Sequence, residues 1–208
     1  MTGAEESAMF DPWGGGLREL CERGFVNAAV RREKSYVLCP PFTPLAEEKA
    51  EREVTRRYFT HYGPATLRDA AYFFKKSQTR IRQLMQNFPV SSFVSQGKTY
   101  YFIENEEPCA EKILKCLFLA GFDPLMLGYK KQESVFLPKQ YLRGIFNIAG
   151  IVMPAILING EVAGRWKLKN GKLEMLYFRA LSQQERTLLH ETAQEIWQGV
   201  RIKEMTVE

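Results

Sequence analysis

Apolar residues between Ser77 and Asn87 recur with the spacing of one face of an α-helix, and the stripe continues into the next residue. They stand at i, i+3, i+4 and i+7: Ile81, Leu84, Met85 and Phe88. That spacing places the apolar side chains on one side and leaves the opposite side polar. Because Ser is a favoured N-cap residue, the pattern predicts a helix from Ser77 to Asn87.

The same reasoning predicts two helices before this one and a β-hairpin after it. The first helix runs from 45 to 61. The second begins at Thr66, where Asp69 three residues later gives a capping-box-like start. The β-rich residues 90–103 divide at Gln96-Gly97, which is typical of a tight hairpin turn. Three helices followed by a hairpin are the arrangement of a winged helix-turn-helix.

Nearer the N-terminus, the pattern predicts only the second half of a similar unit. A short amphipathic helix is predicted over 17–23, where Gly24 ends it, and strand-like runs follow at 25–30 and 35–38. A helix followed by a hairpin is the tail of a winged helix. We therefore interpret residues 1–40 as a partial winged helix.

Residues 109–208 are predicted to form a separate α+β domain. It begins with a helix over 109–120 and ends with a helix that Ser182 caps. Between them lie three antiparallel strand candidates joined by Asn-Gly turns, at 151–158, 162–168 and 172–178. The predicted fold class is therefore α+β. It comprises the partial winged helix, a complete winged helix over 41–108, and a small C-terminal antiparallel β domain with a terminal helix.

Positive charge is concentrated in the complete winged helix. The chain has a net charge of +5, and residues 66–103 contain six Lys or Arg against one acid, while the flanking segments are close to neutral. Such a patch suits phosphates, and polar side chains of the third helix suit base edges. The predicted contacts to double-stranded DNA are Lys75, Lys76, Gln78, Thr79, Arg80, Arg82, Gln83 and Lys98. The alternatives are a merely solvated polar face and a winged helix that binds protein.

Composition argues against several other classes. The hydrophobic content of 45% is enough for a core, and no apolar run approaches the roughly 20 residues that cross a membrane. The acidic stretch 1–9 lacks a signal-peptide pattern, so we expect a cytoplasmic, nucleoid-associated protein. We expect no metal site and no cofactor, because the cysteines and histidines lack ligand spacing. These residues are Cys21, Cys39, Cys109, Cys116, His61 and His190.

Two motifs resemble the winged-helix DNA glycosylases that excise alkylated bases and unhook interstrand crosslinks. The first is Tyr58-Phe59-x-x-Tyr62-Gly63-Pro64-Ala65-Thr66-x-x-Asp69-x-Ala71. The second begins with Phe122-Asp123-Pro124-Leu125-x-x-Gly128-Tyr129 and continues with Pro154-Ala155-Ile156-Leu157-Ile158-Asn159-Gly160-Glu161-Val162-Ala163-Gly164-Arg165-Trp166. The resemblance covers about residues 15–200. It implies tandem winged helices, a small C-terminal β domain and DNA binding.

The catalytic signature of that family is Gln-x-Gln or Gln-x-Asp near its N-terminus, and neither triplet occurs in this chain. The resemblance therefore implies DNA binding without base excision, as in a catalytically incomplete relative of the glycosylases. One alternative is an active DNA glycosylase that uses another residue, with Asp123 as a weak candidate. Another is the partner-binding half of a split repair protein. An incomplete first unit should expose apolar surface, so a homodimer or a separate partner chain is also considered.

Overall fold

In the computed structural model of the protein, the described residues are 15–29, 35–104 and 114–206. The chain forms two compact units, Met1–Glu47 and Glu48–Glu208. Helices and β-sheets are both present, which confirms the α+β class. The domain boundaries expected after residues 40 and 108 stay a prediction.

The first unit contains one helix and one hairpin. Helix α1 is Gly16–Glu22, and strands β1 (Val26–Ala29) and β2 (Ser35–Leu38) pair antiparallel. Gly24 has a φ of +77° and its N–H donates to the carbonyl of Cys21, which ends the helix. The predicted helix and strands are therefore confirmed, except that Val30 lies outside the described residues.

The second unit starts with three helices and a hairpin, which we call the helix–hairpin unit. Its elements are α2 (Glu47–His61), α3 (Leu67–Phe74), α4 (Gln78–Met85), β3 (Val90–Ser95) and β4 (Lys98–Ile103). The Thr66 hydroxyl accepts the N–H of Asp69 at 3.1 Å, and the Asp69 carboxylate accepts the N–H of Thr66 at 2.9 Å. This capping box starts α3, and Ser77 caps α4 as predicted.

The helix–hairpin unit encloses an aromatic and aliphatic core. Tyr58 and Phe59 of α2 and Ile81 of α4 are almost fully buried. The hairpin turns at Gln96 and Gly97, which have φ values of 50° and +71°. Two positive φ values at a two-residue loop match the twist of the paired strands, so the turn brings Lys98 to the tip of the hairpin.

A five-stranded sheet forms the rest of the second unit, in the order β5–β6–β7–β8–β9. The strands are β5 (Cys116–Leu119), β6 (Ala155–Ile158), β7 (Glu161–Lys169), β8 (Lys172–Tyr177) and β9 (Arg201–Thr206). Three short helical segments lie between β5 and β6: α5 (Pro124–Leu127), a 3-10 turn (Lys139–Tyr141) and α6 (Leu142–Ile145). A longer helix, α7 (Gln183–Ile196), lies between β8 and β9. We call β5–β9 with α7 the sheet domain.

The helix expected over 109–120 is wrong where the structure describes it. Residues 116–119 form strand β5 instead, paired antiparallel with β6. Cys116 and Phe118 pack into one hydrophobic cluster, whereas Leu117 and Leu119 pack into another. A strand that is apolar on both faces has no alternation, and its periodicity does not distinguish it from a helix. Residues 109–113 of the expected helix lie outside the described residues.

The sheet domain is also neither wholly antiparallel nor closed by a terminal helix. After α7 the chain adds β9, which runs parallel to β8. The helix between these parallel strands is the crossover that such a pair requires. The Glu204 carboxylate holds β9 to β8 and α7, since it accepts the Tyr177 hydroxyl at 2.8 Å and pairs with Arg186 at 2.7 Å and His190 at 2.6 Å.

Three hydrogen bonds join the helix–hairpin unit to the loop after α5. The Tyr58 hydroxyl donates to the carbonyl of Gly128, and the Tyr129 hydroxyl donates to that of Tyr62, both at 2.8 Å. The backbone N–H of Lys130 donates to the second carboxylate oxygen of Asp69 at 2.9 Å. These bonds fix residues 128–130 against the end of α2 and against α3, and thereby position the site described below.

Candidate nucleic-acid interface

Helix α4 has one buried and one exposed face. Ile81 and Leu84 are within 1% of full burial, while Gln78, Arg82 and the remaining polar residues between them face outward or lie partly exposed. The N-cap bond from the Arg80 N–H to the Ser77 hydroxyl, 3.1 Å, fixes where the helix begins. The polar face expected from the sequence is therefore present and solvent-accessible.

A groove runs between α4 and strand β4, and we call it the α4–β4 groove. Its volume is about 290 Å³, and three cations from different elements line it: Arg68, Arg82 and Lys98. Gln78 and Thr99 add hydrogen-bonding side chains. A concave surface with three cations and neutral donors has the chemistry that binds a phosphodiester backbone. The groove brings together Gln78, Arg82 and Lys98 of the predicted contacts.

Glu133 connects the cations on one side of this groove. Its carboxylate lies 3.2 Å from Arg68, 3.7 Å from Lys98 and 2.5 Å from Lys130. The hydrogen bond from Lys130 is the main reason that the pKa of Glu133 lies below its usual value. Three cations share one carboxylate, so this side of the groove keeps an excess of positive charge.

Arg82 occupies a distinct position among the predicted contacts. It lines the α4–β4 groove and also a second depression of about 330 Å³ beside Met85, Phe88 and Ser92. Its side chain is exposed, and no ion pair to it occurs among the residues that the structure describes. A guanidinium placed in this way is accessible to a phosphate or to a base edge.

Two other predicted contacts are engaged by acids of α2. The Arg80 guanidinium lies 2.6 Å from the Glu51 carboxylate and also pairs with Glu48. Lys76 pairs with the second oxygen of Glu51. Hydrogen bonds from Lys76 and then Arg80 lower the pKa of Glu51. We call Glu48 and Glu51 the α2 acid pair; it partly neutralises the positive charge counted in the sequence.

The remaining predicted residues are exposed but are not among those lining the groove. They are Lys75, Thr79 and Gln83. The pattern along the chain does not predict Arg68 and Thr99 as contacts, or Glu133 as their neighbour. Arg68 is one of the six Lys or Arg counted over residues 66–103, and that count is the one signal for it along the chain. Glu133 is distant in sequence and was not detectable.

Asp123 caps a helix in this structure. Its carboxylate accepts the backbone N–H of Leu125 at 2.9 Å, and Pro124 follows it at the first position of α5. That is the turn role usual for an Asp before a Pro, and the catalytic candidacy of Asp123 stays a prediction. Within the described ranges, no group of three or more His, Cys, Asp or Glu residues is arranged to hold a metal ion.

Comparison with known proteins gives consistent matches. Residues 12–198 match the model of the family described as DNA glycosylase AlkZ-like. The interstrand DNA cross-link repair glycosylase of Streptomyces sahachiroi is 23% identical over 193 residues, which is 83% of this chain and 51% of that protein. The solved structure of Streptomyces sahachiroi DNA glycosylase AlkZ has a TM-score of 0.73 at 19% identity, over 98% of this chain and 60% of that one. The chain therefore spans about half the length of the curated relative, and the structural match shows a shared fold.

Proposed function

The chain belongs to the DNA glycosylase AlkZ-like family, and on that premise we propose that it is a DNA-repair protein that binds duplex DNA through its helix–hairpin unit. In this proposal the unit is a winged helix-turn-helix, with α4 as the recognition helix and the β3–β4 hairpin as the wing. The observation that carries it is the α4–β4 groove with its cations Arg68, Arg82 and Lys98.

The groove cations bind phosphates, and the neutral side chains of α4 face the bases. Arg82 and Lys98 stand on opposite walls of the groove, one on the helix and one at the hairpin tip. A phosphate between them is held by two charge-assisted hydrogen bonds. Gln78, Thr79 and Gln83 have the donors and acceptors that read base edges in the major groove.

Binding is tested by the anisotropy of a fluorescent duplex. We expect Arg82→Ala to weaken binding about tenfold at low salt, which corresponds to the loss of one well-placed phosphate contact. The matched control is Arg201→Ala, which removes an exposed Arg from β9 in the sheet domain. Equal losses for the two variants, or no binding by the wild-type protein, would refute the proposal.

Base excision is not part of the proposed activity. The sequence contains neither a Gln-x-Gln nor a Gln-x-Asp triplet, and the carboxylate of Asp123 is engaged as a helix cap. The alternative is an active DNA glycosylase with a non-standard residue, which membership of a glycosylase family favours. Incubation with an alkylated duplex decides between them. Release of the alkylated base that Asp123→Asn abolishes would support the alternative, and no release of the base would support DNA binding alone.

Cellular location and assembly extend the same proposal. Nucleoid association follows from DNA binding. No helix within the described ranges is long and apolar enough to cross a membrane. Exposed apolar side chains of the first unit, such as Phe25, Val37 and Leu38, favour a homodimer or a separate partner chain. Sedimentation of the protein alone measures its oligomeric state.

A further inference from the structure

The α2 acid pair contacts the N-terminal end of α4, the helix that the proposed function places against DNA. Glu51 is only 17% exposed and lies between Lys76, just before α4, and Arg80, in its first turn. The Arg80 Nη2 lies 2.6 Å and its Nε 3.2 Å from one Glu51 oxygen. The other Glu51 oxygen pairs with Lys76, and Glu48 pairs with Arg80. Both carboxylate oxygens of Glu51 are thus engaged.

Local structure does not require these pairs. Ser77 already caps α4, and the burial of Ile81 and Leu84 fixes its inner face. The pair between Arg80 and Glu48, which is 60% exposed, adds little to folding stability, because solvent screens it. The α2 acid pair instead sets the charge at the N-terminal end of α4. There its carboxylates occupy two cations that a phosphate would otherwise bind by charge-assisted hydrogen bonds.

We infer that Glu48 and Glu51 compete with DNA phosphates for Arg80 and Lys76, and thereby limit the affinity of the protein for undamaged duplex DNA. The inference rests on the proposed DNA binding. A phosphate that approaches the N-terminal end of α4 must displace a carboxylate before it gains either cation. The phosphate is also repelled by the displaced carboxylate, which stays nearby and negatively charged. Non-specific binding therefore depends mainly on the α4–β4 groove.

The chain offers a closely matched pair of variants to test this. Glu51→Gln and Glu53→Gln each remove one carboxylate from α2, two residues apart, so the net charge changes equally. Glu53 pairs with Arg56 and Arg57 of its own helix. We expect Glu51→Gln to tighten binding to undamaged duplex about tenfold at about 50 mM salt and to steepen the log–log salt slope by about 1 to 2. Glu53→Gln should change the affinity by less than about twofold.

Two results would contradict the inference. If Glu51→Gln keeps the wild-type circular dichroism spectrum but binds DNA equally or more weakly, the acids do not compete, and a positioning role for Arg80 replaces the inference. In a protein that already carries Lys76→Ala and Arg80→Ala, Glu51→Gln should add less than about twofold, because its partners are gone. A full tenfold gain in that background would show a general charge effect and overturn the inference.

A second variant guards against misfolding. Glu48 is 60% exposed and pairs with Arg80, so Glu48→Gln perturbs the fold least. We expect it to tighten binding about threefold, and an unchanged affinity would count against the inference. If wild-type protein and Glu51→Gln both fail to bind duplex DNA at low salt, the proposed function fails with the inference. If the wild type binds, Arg82→Ala weakens binding and Glu51→Gln does not tighten it, only the inference fails.

Discussion

Asp69→Asn is expected to lower the free energy of unfolding by about 2 kcal/mol, although it changes a single side-chain atom. Asp69 is 6% exposed, and both of its carboxylate oxygens accept hydrogen bonds. One oxygen accepts the N–H and the hydroxyl of Thr66, at 2.9 and 2.6 Å. The other accepts the backbone N–H of Lys130 at 2.9 Å. The residue therefore caps α3 and joins the helix–hairpin unit to the loop after α5.

The magnitude follows from counting acceptors. An Asn side chain has one acceptor oxygen and one NH₂ donor, so it faces either the Thr66 N–H or the Lys130 N–H with a donor. The Thr66 hydroxyl can turn to accept, but a backbone N–H cannot. One buried N–H is left without a partner in either orientation, which costs about 1–3 kcal/mol.

Urea unfolding followed by far-UV circular dichroism measures this loss. With a slope of about 2 kcal/mol per molar urea, the midpoint should fall by about 1 M while the slope stays the same. The matched control is Asp123→Asn, since Asp123 caps α5 through the single N–H of Leu125. An Asn oxygen can keep that bond, and Asn is itself a favoured N-cap, so we expect a loss below about 0.5 kcal/mol. Similar midpoints for the two variants would refute the reasoning about Asp69.

Two further predictions concern the sheet domain. Gly164→Ala places a Cβ 2.5 Å from the backbone carbonyl oxygen of Leu176 in the neighbouring strand. Because the backbone of a paired strand moves only at a large energetic cost, we expect the free energy of unfolding to fall by about 2–3 kcal/mol, measured by calorimetry. A wild-type melting temperature would contradict this prediction. The hydrogen bond from Arg179 lowers the pKa of Glu185 to about 2 from 4.5. The stabilisation from this pair is therefore complete above about pH 4.5 and is lost as the pH falls towards 2, so the stability difference between wild type and Glu185→Gln should shrink over that range and stay constant above it. A difference that does not change with pH would count against the pair.

Local signals in the sequence predicted many of the described elements, because they depend on neighbouring residues. The Thr66–Asp69 capping box, the Ser77 cap and the Gln96-Gly97 turn are all present in the structure. The Asn-Gly turns at 159 and 170 have the positive φ values that such hairpins require. Each of these features is fixed by a residue within three positions of the backbone that it shapes.

Long-range strand pairing explains why the sequence pattern did not predict strands β9 and β5. Strand β9 lies beside β8, and its position depends on the crossover through α7 and on the contacts of Glu204. Strand β5 was mistaken for a helix because it is apolar on both faces. Neither feature has a signature in its own few residues, so the pattern along the chain could not distinguish it.

The sequence predicts the cations of the candidate site but not the acids that approach them from other elements. A count along the chain found the positive segment, and Arg82 and Lys98 do line one groove. The acids that approach this segment come from α2 and from the loop after α5, so their effect appears only in three dimensions. Arg80, which the sequence ranks with Arg82, is instead held by Glu51.

The salt dependence of binding measures how many DNA phosphates the α4–β4 groove contacts. Three groove cations, Arg68, Arg82 and Lys98, predict a log–log slope of about −3 for the wild-type protein. Replacing Arg82 and Lys98 together by Ala should reduce the slope to about −1 and weaken binding at every salt concentration. No detectable binding at low salt, or the same slope in the double variant, would contradict the proposed interface.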